Sequence, residues 1–233
     1  MFEEAKWIAA NPHTAWDFLP QDKRPPAPYI VRDFKIGKGL KDATLNIVAL
    51  GQGAFFVNGE RVPDSLLPTY SSNLYKTVFY NTYNITEMLC DGKNRFGVIL
   101  AGTRYSDTEA RAFETVNNVL IAQIDLKYEN GKEETVVTDS SWRWHDSPVI
   151  SSKRRRGDVY DARLEIKKWC CPETDISEWG YTSLWMGAGG KFEPIMCPPH
   201  REIAVLAGKE VAPKVFDFGI NTSGWARIYV KGK

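Results

Sequence analysis

Apolar residues in this chain recur at alternate positions within short runs, and turn-forming residues separate the runs. Leu45-Asn46-Ile47-Val48-Ala49-Leu50 is one such run, and Ala54-Phe55-Phe56-Val57 is another that meets Asn58-Gly59 before Glu60-Arg61-Val62. Asn-Gly readily takes the positive φ angles of a two-residue turn, so a β-hairpin is predicted there. From Val119 to Lys127, and on to Tyr128, Ile124, Leu126 and Tyr128 alternate with polar residues, and Asn130-Gly131 then leads into Thr135-Val136-Val137-Thr138. Period two predicts a second hairpin with one buried and one wet face. Tyr83 to Leu89 reads as a strand end followed by a single helical turn, which Asp91-Gly92 stops before Phe96-Gly97-Val98-Ile99-Leu100 resumes extended structure. No helix-length stretch carries apolar residues at three-and-four spacing, so the predicted class is all-β.

Prolines punctuate this pattern twice. Pro20, Pro25, Pro26 and Pro28 predict an extended crossing loop, after which Tyr29-Ile30-Val31-Arg32-Asp33-Phe34 starts a sheet. Pro194 and Cys197-Pro198-Pro199 interrupt again, and fresh strands are predicted at Val215-Phe216-Asp217-Phe218 and Trp225-Ala226-Arg227-Ile228-Tyr229-Val230. A domain boundary is therefore placed near residue 194, with one β-sandwich over 1–193 and the opening of a second over 194–233. Only Lys231-Gly232-Lys233 follows the last predicted strand, so the second sandwich is expected to be truncated.

At 233 residues and 43% hydrophobic content the chain can bury a sizeable core. Lys+Arg 30 against Asp+Glu 29 leaves a net charge of +1, so no overall field draws in nucleic acid, an acidic membrane or a polyanion. No apolar run is long enough to span a bilayer, and Met1-Phe2-Glu3-Glu4-Ala5-Lys6-Trp7 lacks the basic start and apolar centre of a signal peptide. A neutral partner is expected, with no nucleic acid and no membrane. The four cysteines, Cys90, Cys170, Cys171 and Cys197, have no Cys-x-x-Cys spacing, and only His13, His145 and His200 could join them. No structural zinc is expected; four reduced, mostly buried thiols are, in a reducing compartment such as the cytoplasm. The basic run Lys153-Arg154-Arg155-Arg156 has no interleaved aromatic and reads as a solvated loop.

Chemistry-bearing residues concentrate in Gly157-Asp158-Val159-Tyr160-Asp161-Ala162-Arg163-Leu164-Glu165. Were this one strand, Asp158 and Tyr160 would share a face, and Asp161, Arg163 and Glu165 would share the other. The charges then serve either as an ion pair fixing two strands or as groups that bind sugar hydroxyls at a domain junction. Eight tryptophans and ten tyrosines supply flat faces of the kind on which pyranose rings stack. Trp142, Trp144, Trp179 and Trp185 read instead as core and strand-end packing. Inverting glycoside hydrolysis needs two carboxyls about 6.5 to 9.5 Å apart. Spacing along a sandwich cannot show such a pair, and no catalytic residue is nominated.

Four stretches, in order, carry a resemblance that covers nearly the whole chain. They are Gly53 to Val62, Tyr83 to Leu100, Gly157 to Glu165, and Val215-Phe216-Asp217-Phe218-Gly219-Ile220-Asn221-Thr222-Ser223-Gly224-Trp225. Together they resemble the N-terminal region of bacterial α-L-rhamnosidases. The resemblance implies a jelly-roll, galactose-binding-like β-sandwich followed by the opening strands of a second one. It implies a non-catalytic accessory role beside a helical catalytic barrel that would follow Lys233. The implied partners are a rhamnose-containing glycan or glycoside and the catalytic domain of the same polypeptide. The alternatives are a stand-alone, lectin-like carbohydrate-binding module and a pure interaction scaffold. Some family members bind rhamnose through calcium, using a loop that corresponds here to Ala101-Gly102-Thr103-Arg104-Tyr105-Ser106-Asp107. Thr103 and Arg104 depart from that pattern and a guanidinium repels a cation, so no cofactor is expected, although Tyr105 could stack on a sugar. The candidate carbohydrate-binding residues are Tyr105, Asp158, Tyr160, Asp161 and Arg163.

Overall fold

The computed structural model describes residues 1–10, 26–102, 118–153 and 157–231. Pro20, Pro25, Thr103, Arg104, Tyr105 and Arg154 to Arg156 lie outside the described residues. In chain order the strands are β1 (Ile8–Ala9), β2 (Pro28–Ile36), β3 (Leu40–Leu50), β4 (Gln52–Val57), β5 (Glu60–Arg61), β6 (Thr77–Asn84), β7 (Gly92–Ala101), β8 (Val119–Tyr128), β9 (Glu133–Val137), β10 (Arg143–Asp146), β11 (Val149–Lys153), β12 (Gly157–Tyr160), β13 (Gly180–Tyr181), β14 (Ser183–Leu184), β15 (Lys191–Pro194), β16 (Lys209–Ala212) and β17 (Val215–Asp217). The only helical turns among these residues are short 3-10 turns such as Thr86–Met88 and Ala162–Leu164, so the class is all-β.

Contacts divide the chain into two units, Met1–His200 and Arg201–Lys233. In the first, one sheet runs β14-β1-β8-β3-β6-β15 with β9 added to β8, and a second runs β13-β10-β2-β7-β4-β5. The pairs are antiparallel except β15 with β6. Alternation decides which side chains meet between the sheets. Leu45, Ile47, Ile124 and Leu126 from the first sheet join Ile30, Phe55, Phe96 and Val98 from the second in one buried cluster. Each such side chain, fully buried, contributes about 1.5–3 kcal/mol. Trp142 is 1% exposed and sets its ring edge-on to Phe96 at 5.9 Å, while its indole N–H donates to the Val137 carbonyl at 2.9 Å. Trp144 packs partly buried beside it, and Trp179 and Trp185 pack in clusters on the outer sides of the two sheets.

The two Asn-Gly turns differ. Asn58 and Gly59 have φ of +50° and +89°, the left-handed pair of a two-residue hairpin. The Asn58 side chain accepts from the Arg95 N–H at 2.9 Å and donates to Asn94 Oδ1 at 2.8 Å and to the Met88 carbonyl at 3.0 Å. One turn residue thus joins β4, β7 and the 3-10 turn between β6 and β7. At the second turn only Gly131 is left-handed, with φ of +81°. Tyr128 N–H donates to Lys132 and Gly131 N–H to Tyr128, so the loop is one residue longer, and a single glycine supplies the positive angle.

Three expectations are corrected. The Gly157 to Glu165 segment is not one strand: β12 ends at Tyr160, because the Asp161 carboxylate accepts the Arg163 N–H and starts the 3-10 turn. The two-face division of its charges therefore fails. In the second unit β16 and β17 form a hairpin, but Trp225 to Val230 pairs with nothing among the described residues and is not a strand. The thiols are free but not mostly buried: Cys170 is buried, Cys171 half-buried, and Cys90 and Cys197 are exposed, one in the turn before β7 and one in the Pro-flanked segment after β15. Among the described residues no helix is long and apolar enough to cross a membrane.

Candidate functional site

The outward side of the second sheet carries Tyr29, Asp33, Arg95, Arg143 and His145. Register places Tyr29, Val31 and Asp33 of β2 opposite Ile99, Gly97 and Arg95 of β7, and His145 and Arg143 of β10 opposite Tyr29 and Val31. All of these point away from the core, since their neighbours Ile30, Phe96, Val98 and Trp144 point into it.

Residues 166–179 lie over this face, before the chain joins the sheet as β13. Gly97 makes that possible, because a Cβ there would sit 2.5 Å from the Trp169 ring and 2.7 Å from the Cys170 sulfur. Trp169 instead lies flat on the sheet, stacked on Tyr29 at 4.3 Å and edge-on to Phe56 at 5.2 Å. Tyr29 also stacks with Trp179 at 6.0 Å. Gly97→Ala should therefore lift Trp169 and destabilise the chain by about 1–3 kcal/mol, read as a lowered urea midpoint. An unchanged midpoint would show that the layer adjusts freely.

Arg95 is the second fastener. Its guanidinium is fully buried and donates to both Asp33 oxygens, at 2.5 and 3.0 Å, to the Trp169 carbonyl at 3.1 Å and to the Thr174 carbonyl at 3.0 Å. Burial raises the Asp33 carboxyl, but hydrogen bonds and charge from Arg95, then Lys93, hold it below the ordinary carboxylate value. Burial also pushes the Cys170 thiol up to about 12, so it packs as an inert apolar group.

At the edge of this layer the structure gathers the predicted site residues. Tyr160 ends β12 and is 54% exposed, and burial, then the nearby Glu165 carboxylate, raise its hydroxyl above the ordinary tyrosine value. The buried Tyr29 lies near them and near the Ile166 backbone. Burial, then the nearby Tyr160 and Glu165, push Tyr29 up to about 12. Asp161 accepts from the Arg163 backbone N–H at 3.0 Å and from Nε at 2.8 Å, and Nη2 closes the pair at 2.5 Å. These bonds hold the Asp161 carboxyl at about 2. The Asp161–Arg163 pair closes within one turn and joins no two strands, which corrects the strand-fixing reading. Asp158 stands exposed on β12 opposite Ser152.

Tyr160, Asp161, Arg163 and Glu165 thus come together, with Asp158 two residues back along the hairpin; Tyr105 lies outside the described residues. Sequence reasoning missed Tyr29, which looks like one more apolar strand residue until register sets it beside His145. It also missed the cross-strand pair Arg143 and Tyr181, whose positions are 38 residues apart. Among the described residues no three His, Cys, Asp or Glu side chains are grouped to hold a metal ion.

The alpha-L-rhamnosidase N-terminal domain family matches residues 38–204. An alpha-L-rhamnosidase of Formosa agariphila is 29% identical over 224 residues, covering 89% of this chain and 23% of that protein. The solved alpha-L-rhamnosidase from Dictyoglumus thermophilum superposes with a TM-score of 0.80 at 31% identity, covering 93% of this chain and 25% of the other. The Streptomyces avermitilis alpha-L-rhamnosidase complexed with L-rhamnose superposes with a TM-score of 0.66 at 25% identity, over 71% of this chain and 16% of the other. The chain spans about a quarter of the length of the first two relatives.

Proposed function

The chain belongs to the alpha-L-rhamnosidase N-terminal domain family, and on that premise we propose that it is a non-catalytic accessory β-sandwich region of an α-L-rhamnosidase. The parent enzyme removes terminal α-L-rhamnose from glycans or glycosides, and its catalytic helical barrel lies on the same polypeptide outside these 233 residues. The observation that carries this reading is a family match over residues 38–204 in a chain only about a quarter as long as its relatives. Local chemistry agrees with it. Arg163 holds Asp161 ionised and Arg95 does the same to Asp33, so neither carries a proton near neutral pH as a catalytic acid must. Arg201–Lys233 opens the second sandwich, because Pro194, where the sequence placed the boundary, still pairs with β6 of the first unit.

The exposed Tyr160 ring stacks on a sugar of the bound glycan, and Glu165, Asp161 and Arg163 supply the acceptors and donors its hydroxyls need. Asp158 extends that rim, and Tyr105, outside the described residues, is a further candidate for stacking. Calcium plays no part, because Arg104 in the 101–107 stretch would repel it.

In the full-length polypeptide, Tyr160→Ala should raise KM for a rhamnose-terminated oligosaccharide about five- to tenfold, the loss of roughly one stacking contact, with kcat little changed. KM measured with calcium and with chelator should agree within about threefold. A fall of kcat by orders of magnitude would place Tyr160 in a catalytic centre and overturn the accessory reading. A tenfold lower KM in calcium would overturn the metal-free one.

A further inference from the structure

We propose that a surface strip beside the covered outer face of the second sheet binds an extended oligosaccharide, running from Tyr181 and Arg143 through His145 to Tyr160 and Glu165. This rests on the glycan-contact reading above and gives the ligand a length.

Tyr181 and Arg143 are directly opposed in the β13–β10 register, and Arg143 is opposed in turn to the outward Val31, so the pair stands on the same side of the sheet as Tyr29. The Arg143 guanidinium carbon lies 3.7 Å from the Tyr181 ring centre. Its nitrogens donate to the Tyr181 hydroxyl at 2.7 Å and to the Trp179 carbonyl at 2.8 Å. The guanidinium is thereby committed to holding the ring from one side, while 58% of Tyr181 remains exposed. A flat ring already fixed in place loses little further rotamer freedom when a ligand stacks on it.

His145 follows two residues along β10, on the same face. Its ring tilts over Trp179 at 5.3 Å, and its Nδ1 lies 2.9 Å from the Asp146 carbonyl, so Nδ1 carries the hydrogen and Nε2 of the neutral ring is an acceptor. His145 is opposed to Tyr29, and the chain runs on from β10 to Pro148, whose carbonyl accepts the Asp161 N–H at 2.9 Å, and to Val149, which is opposite Tyr160. At about 3.3 Å per residue along a strand and about 4.8 Å between strands, the strip is on the order of 15 Å long, more than one pyranose ring covers.

The strip's chemistry selects the ligand class. An exposed ring at each end, an acceptor between them and a carboxylate at one end suit a neutral chain of hydroxylated rings. Arg143 is engaged by Tyr181 and the Trp179 carbonyl and Arg163 by Asp161, so neither guanidinium is left over for an anionic polymer. Its rings are set among polar groups and form no continuous apolar patch for a protein.

The test is calorimetric titration of the purified chain with L-rhamnose and with a rhamnose-terminated tetrasaccharide, for wild type, Tyr181→Ala, Tyr181→Phe and Tyr160→Ala. Wild type should bind the tetrasaccharide at least about tenfold more tightly than rhamnose. Tyr181→Ala should shrink that ratio below about threefold, and Tyr181→Phe, which keeps the ring, should retain most of it. If Tyr181→Ala leaves the ratio intact while Tyr160→Ala weakens both ligands, the extended strip is refuted and the glycan-contact reading stands. If Tyr160→Ala changes neither, or wild type binds neither, that reading fails and the strip with it. If Tyr181→Ala lowers the thermal midpoint of the full-length polypeptide and leaves tetrasaccharide affinity unchanged, the strip seats another protein surface and the proposal is overturned.

Discussion

Replacing Arg95 by methionine should cost the folded chain about 3–5 kcal/mol, the range found when one partner of a buried ion pair is removed. The loss has two sources. Asp33, whose carboxylate takes two guanidinium bonds, would keep only the more exposed Lys93. The Trp169 and Thr174 carbonyls would also lose their donor, at about 1–3 kcal/mol for each that stays dry. Both carbonyls belong to the layer over the second sheet, so that layer should loosen before the core does. Urea unfolding measures the total, and limited proteolysis should show new cleavage within residues 166–179. Adding Asp33→Asn to Arg95→Met should recover part of the loss, since the two residues are coupled. A cost below about 1 kcal/mol would mean that water replaces the guanidinium and that Arg95 is no fastener.

What was legible in the sequence was local. Period-two runs, the Asn58-Gly59 turn and the single turn between β6 and β7 each depend on a few adjacent residues, and each appears where those residues put it. The layer on the second sheet was hidden, because it depends on register between distant strands. Asp33 and Arg95 look like two unrelated charges until β2 and β7 pair them. Gly97 looks like a weak point in a strand until Trp169, far along the chain, needs the space. Where the reading failed, a side chain competed with the ladder or the ladder had no partner. Asp161 captured the Arg163 N–H and ended β12, whereas Trp225 to Val230 has strand-forming residues but no paired neighbour among the described residues.

The candidate site was legible in part for the same reason. Tyr160, Asp161 and Arg163 come together because they are neighbours in sequence, and the turn at Asp161 adds Glu165. Tyr29, Arg143 and Tyr181 entered only through strand pairing, which no local pattern encodes.

The central claim is that these 233 residues accompany a rhamnosidase active site without containing it. Cleaving a glycosidic bond takes one carboxyl that holds a proton, a second that activates water or attacks the sugar, and a closed site around the ring. Asp161 is tied up by Arg163, and Glu165 stands on an exposed edge near Tyr160. The most direct measurement is release of the aryl group from an aryl α-L-rhamnoside, with the purified 233-residue chain and the full-length polypeptide at equal concentration. The full-length polypeptide should turn over, and the chain should not rise above buffer, a gap of at least about a millionfold if the longer protein is an ordinary enzyme. Turnover by the chain at a comparable rate, abolished by Asp161→Asn or Glu165→Gln, would put the catalytic pair inside these residues and contradict the account.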